Sequence, residues 1–245
     1  MHISKTSQRK KDHIQLCLDD EVKYKIKTNG FENYEFVHFA ITEVEFDKIT
    51  LSTKFLDKKI DLPFLISCMT GGTSNAKQIN EKLAIAAKLL NIPIGVGSQR
   101  QAIENKNYHS TYRVIRKNAG EVPILGNIGA AQVAKSKNPV DEINLLIELV
   151  DADAMVIHAN PLQELFQKEG EPAFNGLLKN LNKICTKIST PIIVKEVGSG
   201  ISKRVAKKIL ETGVRGIDVA GAGGTSWAKV EMKRNNSYDP FFHEW

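Results

Sequence analysis

Long apolar runs are missing from this sequence. Nowhere do eighteen apolar residues follow one another, so no stretch has the roughly 20-residue length that a membrane-spanning helix needs. After Arg9, Lys10 and Lys11 there is no apolar segment of signal-peptide length, and the expected location is cytoplasmic. Cysteine is scarce as well. Cys17, Cys68 and Cys185 stand far apart with no Cys-x-x-Cys, which argues against a disulfide framework and a cysteine-held zinc site. Gly-x-Ser-x-Gly, His-Glu-x-x-His and a Walker loop are absent, so hydrolase, zinc-protease and nucleotide-triphosphatase readings lose support. There is no RNA-binding signature or basic-aromatic interleaving. The net charge of +6 over 245 residues therefore points to a small phosphorylated ligand rather than nucleic acid.

What is present is a regular alternation that starts at Phe64. Apolar, strand-like runs recur at Phe64–Met69, Ile92–Val96, Val122–Leu125, Ala154–Ile157, Ile192–Val194 and Ile217–Ala220. Helical patterns separate them: Asn75–Leu90 with Ile79, Leu83, Ala86, Ala87 and Leu90 on one stripe, a segment after Gln101, Pro139–Val150 behind the cap Asn138, Phe174–Ile188, and Ser202–Leu210. Strands alternating with helices mean a parallel sheet. The spacing of about thirty residues suits a TIM-type (β/α)8 barrel. An open doubly wound sheet usually carries a full Gly-x-Gly-x-x-Gly after its first strand, and Gly95-Val-Gly97 is only half of one. The expected fold is thus an α/β barrel, incomplete at about six βα units. Residues 1–62 form an N-terminal segment with a helix from a Ser7 cap and small strands between Phe36 and Ile60, and residues 63–245 form the barrel domain.

Every strand-like run ends in polar or glycine-rich residues: Met69-Thr70-Gly71-Gly72-Thr73, Gly97-Ser98-Gln99-Arg100, Asn127-Ile128-Gly129, His158-Ala159-Asn160 with Gln163-Glu164, Lys195-Glu196, and Gly223-Gly224-Thr225-Ser226-Trp227. In a parallel barrel these ends converge on one face, where such folds place their chemistry. Lys195 ending an apolar strand needs either an anionic ligand or a partner such as Glu196 or Asp218. Glu164 suits magnesium shared with substrate phosphates, or simply the first turn of a helix opened by Pro161. His158 fits an acid, a phosphate donor or a satisfied core histidine. Arg9 and Lys10 with His13 one turn later suit a phosphate clamp, although a basic run by itself reads as a solvated face.

Taken together, Arg9-Lys10 with His13, the Met69–Thr73 and Gly97–Arg100 stretches, Gly126–Gly129, His158-x-Asn160-x-x-Gln163-Glu164, Val194–Gly198 and Gly223–Trp227 resemble the FMN-dependent type 2 isopentenyl-diphosphate isomerases. The resemblance implies a (β/α)8 barrel that interconverts isopentenyl and dimethylallyl diphosphate with reduced FMN as acid and base. NAD(P)H would reduce the flavin, and Mg2+ would assist. By motif, Met69, Thr70, Gly71, Ser98, Asn127, Lys195 and Thr225 would contact FMN. Arg9, Lys10, His13, Ser98, Gln99, Arg100, His158, Asn160 and Gln163 would face the substrate, Glu164 would hold Mg2+, and Gln163 would assist proton movement by position or relay. The resemblance also implies a homo-oligomer, a tetramer or octamer, with no membrane or nucleic-acid partner.

The sequence stops at Phe241-Phe242-His243-Glu244-Trp245, where members of that family continue into a seventh strand. Two βα units and their glycine-rich FMN-phosphate loops are therefore expected to be missing. A non-catalytic piece that cannot hold FMN and another FMN-dependent barrel oxidoreductase stand as the alternative readings.

Overall fold

Apolar β-branched runs bounded by polar loops form parallel strands because both faces of each strand can then be buried under helices. The computed structural model describes residues 5–237 with Asp239 and Phe242; Phe241 and His243–Trp245 of the chain's expected end lie outside the described residues. The elements follow in order: helix α1 (Lys5–Leu16), strands β1 (Thr53–Phe55) and β2 (Lys58–Ile60), α2 (Ser74–Leu90), β3 (Ile94–Gly95), α3 (Arg100–Glu104), α4 (Ser110–Ala119), β4 (Ile124–Gly129), α5 (Ala130–Lys135), α6 (Pro139–Val150), β5 (Ala154–His158), α7 (Pro161–Phe166), α8 (Leu177–Lys187), β6 (Ile192–Lys195), α9 (Lys203–Leu210), β7 (Gly216–Asp218) and α10 (Trp227–Arg234). Strands β3 to β7 pair in sequence order as one all-parallel sheet. No helix among the described residues is long and apolar enough to cross a membrane.

Several expectations shift. Phe64–Met69 does not form a full strand. It makes a single parallel bridge, Ile66 to Ile94, because it pairs on one side only and Phe64 and Leu65 are exposed. β4 runs beyond Leu125 through Asn127 to Gly129, since β5 stays in register with it as far as His158. β7 ends at Asp218 and leaves Val219 exposed. Ser7 is no cap: α1 already includes Lys5, and the buried Ser7 hydroxyl donates to the Tyr108 hydroxyl at 3.0 Å. Asn138 precedes Pro139 at the start of α6 but makes no side-chain cap bond. On α2 the buried stripe is Ala76, Asn80, Ala84 and Ala87, with Leu90 exposed. Asn80 is tolerated there because its amide donates to the Thr70 and Thr111 carbonyls.

Strand pleating sorts the sheet into two faces. Ile124, Ile128, Met155, Ile157, Ile192 and Val194 join the large core beneath the helices. On the opposite face Leu125, Ala154 and Val156 pack with Ile193 and with Phe55 and Leu56 from the β1–β2 hairpin. Leu56 and Asp57 both have positive φ, the conformation of a two-residue hairpin turn that follows strand twist. Lys58 anchors the hairpin to Asp153, just before β5, at 2.7 Å. Between α1 and this hairpin the chain runs with little regular structure, and Ile26, Phe31, Phe36, Val37 and Phe39 are exposed.

The end of β3 lies hard against the loop after Ile66. Gly97 donates to the Thr70 carbonyl at 2.9 Å, and a Cβ on Gly97 would stand 2.3 Å from the Thr70 carbonyl carbon and oxygen. Backbone cannot yield as a side chain does. Gly97→Ala is expected to lower stability by about 1–3 kcal/mol or more, read as a shift in the urea midpoint at unchanged m-value.

Candidate functional site

The pleat that directs Leu125, Val156 and Ile193 onto the hairpin side directs Asn127, His158 and Lys195 to the same side two residues later. Gly129, His158, Lys195 and Asp218 are in register across four strands. Asn127, His158 and Lys195 at these strand ends form one wall of a cavity of about 310 Å³. The loop after Ile66 adds Met69, Thr70 and Gly71, the β3 end adds Ser98 and Arg100, and α7 adds Gln163 and Glu164 behind Asn160. Helix α1 closes it with Arg9, Lys10 and His13, and Trp227 of α10 completes the lining.

Fourteen of the sixteen residues expected at the site thus face one space. Two do not. Gln99 is fully buried in the layer beneath: its amide donates to the Leu146 carbonyl of α6 and accepts from the Asn127 backbone. Its contribution is to hold the ends of β3 and β4 in place. Thr225 lies outside the cavity lining, in an antiparallel bridge with Lys23.

The cations are only partly exposed and set against few carboxylates. Lys10 donates to the Ser98 carbonyl and the Tyr112 hydroxyl, each at 3.0 Å. Burial, then the neighbouring Arg9 charge, brings its pKa down to about 7. Burial also lowers the pKa of Arg9, with Arg100 adding repulsion. The Lys195 ammonium donates to the Glu196 carbonyl at 2.5 Å. Neither carboxylate suggested as its partner takes it among the described residues: Glu196 accepts the backbone N–H groups of Val197, Gly198, Ser199 and Gly200, and Asp218 accepts from Ala220. A half-buried cation whose only hydrogen bond among the described residues is to a carbonyl favours an anion in the cavity.

The tautomer of His158 follows from its neighbours. The Asn127 amide nitrogen donates to the Val96 carbonyl, so its oxygen accepts from His158 Nδ1–H at 2.8 Å. Nε2 is left as a lone-pair acceptor. Burial first, then Lys195, Lys10 and Arg9, pushes the His158 pKa down to about 3, so the ring is neutral at physiological pH.

Glu164 is buried, with Oε1 accepting from the Asn160 amide at 3.1 Å and Oε2 from the Glu171 backbone at 2.8 Å. The Asn160 oxygen is buried beside it without a partner. No cluster of three or more His, Cys, Asp or Glu side chains among the described residues could hold a metal. An ion here would rest on Glu164, the Asn160 oxygen and the ligand's own phosphates, a donor set that fits Mg2+.

Two buried residues escaped the sequence reading, Glu231 and Gln167. Glu231 of α10 is fully buried and accepts from His13 at 2.8 Å and from Gln163 at 3.3 Å. The Gln167 amide, turned to satisfy both neighbours, donates to Glu231 at 3.2 Å and accepts from Arg9 at 2.9 Å. Burial alone would raise the Glu231 pKa; His13, Gln163 and Arg234 outweigh it and hold it low. Its one signal in the sequence was a carboxylate four residues after Trp227, on the same helix face.

Residues 4–112 match the model of a family described as FMN-dependent dehydrogenase. The chain is 50% identical over 231 residues to the isopentenyl-diphosphate delta-isomerase of Pelodictyon phaeoclathratiforme, covering 94% of this chain and 64% of that protein. It is 45% identical over 242 residues to that of Chlorobium limicola, covering 96% and 67%. The match to the Nostoc enzyme of the same name is 47%, over 94% and 65%. The chain therefore spans about two thirds of these relatives' length, slightly less for two of the three. Among solved structures, a mutant flavocytochrome b2 with pyruvate bound superposes at TM-score 0.56 with 17% identity, over 84% of this chain and 54% of that one. A lactate oxidase of Pediococcus acidilactici gives 0.54 at 14%, over 89% and 66%. At these identities the structures speak for the barrel fold alone.

The neutral His158 ring sets a pH signature. Its folded pKa lies below the unfolded value, so the unfolded chain takes up the proton first as pH falls. The stability tied to the neutral ring is full above about pH 6.5 and declines toward pH 3. The His158 ring resonances are expected not to titrate between pH 5 and 8 in NMR spectra of the folded chain, and His158→Asn should flatten the loss of stability over pH 6.5 to 4; an inflection near 6.5 would contradict the neutral tautomer.

Proposed function

Because this chain belongs to the isopentenyl-diphosphate delta-isomerase family, in its flavin-dependent form, we propose that its cavity serves the interconversion of isopentenyl and dimethylallyl diphosphate. The observation that carries this reading is the charge arrangement. Arg9, Lys10, Arg100 and Lys195 converge on a space whose one lining carboxylate among the described residues is Glu164. That pattern suits a diphosphate neutralised by guanidinium and ammonium donors and one hard cation.

In this reading residues 1–62 bring the substrate clamp to a barrel domain formed by residues 63–245. Arg9, Lys10, His13 and Arg100 bind the diphosphate. Glu164 with the Asn160 oxygen holds Mg2+ against it. Met69, Thr70, Gly71, Ser98, Asn127 and Lys195 cradle the flavin, and Lys195 supplies the positive charge an anionic cofactor needs. Thr225 joins them only if its loop moves. When bound and reduced, FMN supplies the acid and base chemistry for an allylic proton shift, with NADPH as reductant. The protein's own part is positional. His158 offers Nε2 as an acceptor while donating Nδ1–H to Asn127. Gln163, held by Glu231 and Asn160, fixes an amide beside the reacting carbons and can relay a proton but not hold one. Ile14 and Trp227 give the alkenyl group an apolar wall. A homo-oligomer of four or eight copies in the cytoplasm belongs to the same reading.

FMN-loaded chain is expected to convert isopentenyl diphosphate, followed by NMR, only with a reductant and Mg2+ present. Turnover with oxidised flavin and no reductant would overturn the reading. Glu164→Gln should raise the Mg2+ concentration for half-maximal rate by at least about tenfold, the scale at which even outer-shell changes act.

A further inference from the structure

Three of the four residues proposed to bind the diphosphate, Arg9, Lys10 and His13, sit on α1, which belongs to neither the sheet nor its helical layer, so something must hold it over the cavity. On one flank Ser7 meets Tyr108 and Gln101, and Lys10 meets Tyr112. The other flank converges on one side chain. Arg234 of α10 is largely buried and directs its guanidinium at three carboxylates from three parts of the chain. Nε donates to Asp12 of α1 at 3.2 Å. Nη1 and Nη2 form a fork onto Glu169, in the loop after α7, at 2.8 and 2.7 Å. Nη1 also reaches Glu231, the buried acceptor of His13 and Gln163, at 3.2 Å.

We propose that Arg234 is a positioning residue that clasps α1 to the loop after α7 and to α10, and so holds Arg9, Lys10 and His13 in the geometry that binds an anion. A planar fork can meet three carboxylates at fixed angles where an ammonium cannot. Asp12 and His13 are adjacent on α1, so the two links from Arg234, one direct and one through Glu231, act on the same turn. The guanidinium also keeps three carboxylates from repelling one another so close to the cavity. Substrate-binding cations on α1 therefore depend on a residue that does not line the cavity.

The clasp itself rests on geometry alone; the anion it serves rests on the diphosphate reading. The test uses the full 245-residue chain with FMN and Mg2+, comparing wild type, Arg234→Gln, Asp12→Asn and the double variant. Inorganic pyrophosphate affinity is measured by calorimetry, and amide exchange of the α1 peptide by mass spectrometry. Each single variant is expected to weaken pyrophosphate binding about tenfold and to speed exchange in α1 while exchange in β4 and β5 stays as in wild type. The double variant should be no worse than Arg234→Gln, because both cut one link. Unchanged α1 exchange in both single variants, or effects that multiply in the double, would overturn the clasp. Asp12→Asn leaves the Arg234–Glu169 fork intact, which keeps the test valid if Arg234→Gln does not fold. Absence of pyrophosphate binding by wild type would count against the diphosphate reading, and α1 exchange would still decide the clasp.

Discussion

The period-two pleat of β4, β5 and β6 is the constraint on which the rest depends. Each strand must send alternate residues under the helices and onto the hairpin face. Near the strand starts both faces are apolar, and Phe55 and Leu56 of the hairpin plug the second. At the strand ends the same alternation delivers Asn127, His158 and Lys195 to the plugged side, where they line the cavity. A one-residue slip in any of these strands would bury the polar set beneath the helices. Gln99 guards that register by bonding the Asn127 backbone from one side and α6 from the other.

Charge then decides what the cavity accepts. Glu196, the carboxylate nearest in sequence to Lys195, is committed to four backbone N–H groups of the loop behind it. The carboxylates of Asp12, Glu169 and Glu231 are committed to Arg234. Acidic groups are thereby held in structural bonds while Arg9, Lys10 and Lys195 face the cavity. Desolvation weakens the hold of Arg9 and Lys10 on their protons, and an incoming anion reverses that cost. The carboxylates that surround the site thus shape it without neutralising it.

Legibility followed the range of the interactions. Strands at Ile192–Val194 and Ala154–Ile157 and the helix at Pro139–Val150 were readable because burial on both faces and proline at a first helical turn are local signals. Phe64–Met69 was over-read as a strand, since an apolar run does not say whether a neighbour stands on each side. The stripe on α2 was misplaced because Asn80 is buried through bonds to Thr70 and Thr111, and the sequence around Asn80 holds no trace of either. Gln99 stands between Ser98 and Arg100 in sequence, but its amide is held beneath the cavity by bonds to the Leu146 carbonyl and the Asn127 backbone.

Sequence by itself determined the parallel α/β class, the polar residues at each strand end and the basic run at Arg9 and Lys10 with His13 one turn later, because periodicity, chain order and charge are properties of neighbours along the chain. Tertiary structure alone decided which of those polar residues meet, that Lys195 has no carboxylate partner among the described residues, that His158 is neutral, and that Glu231 and Arg234 stand behind the site. Those outcomes depend on side chains brought together across as many as 222 positions, as in the Arg234–Asp12 bond, and on desolvation, which no local stretch of sequence encodes.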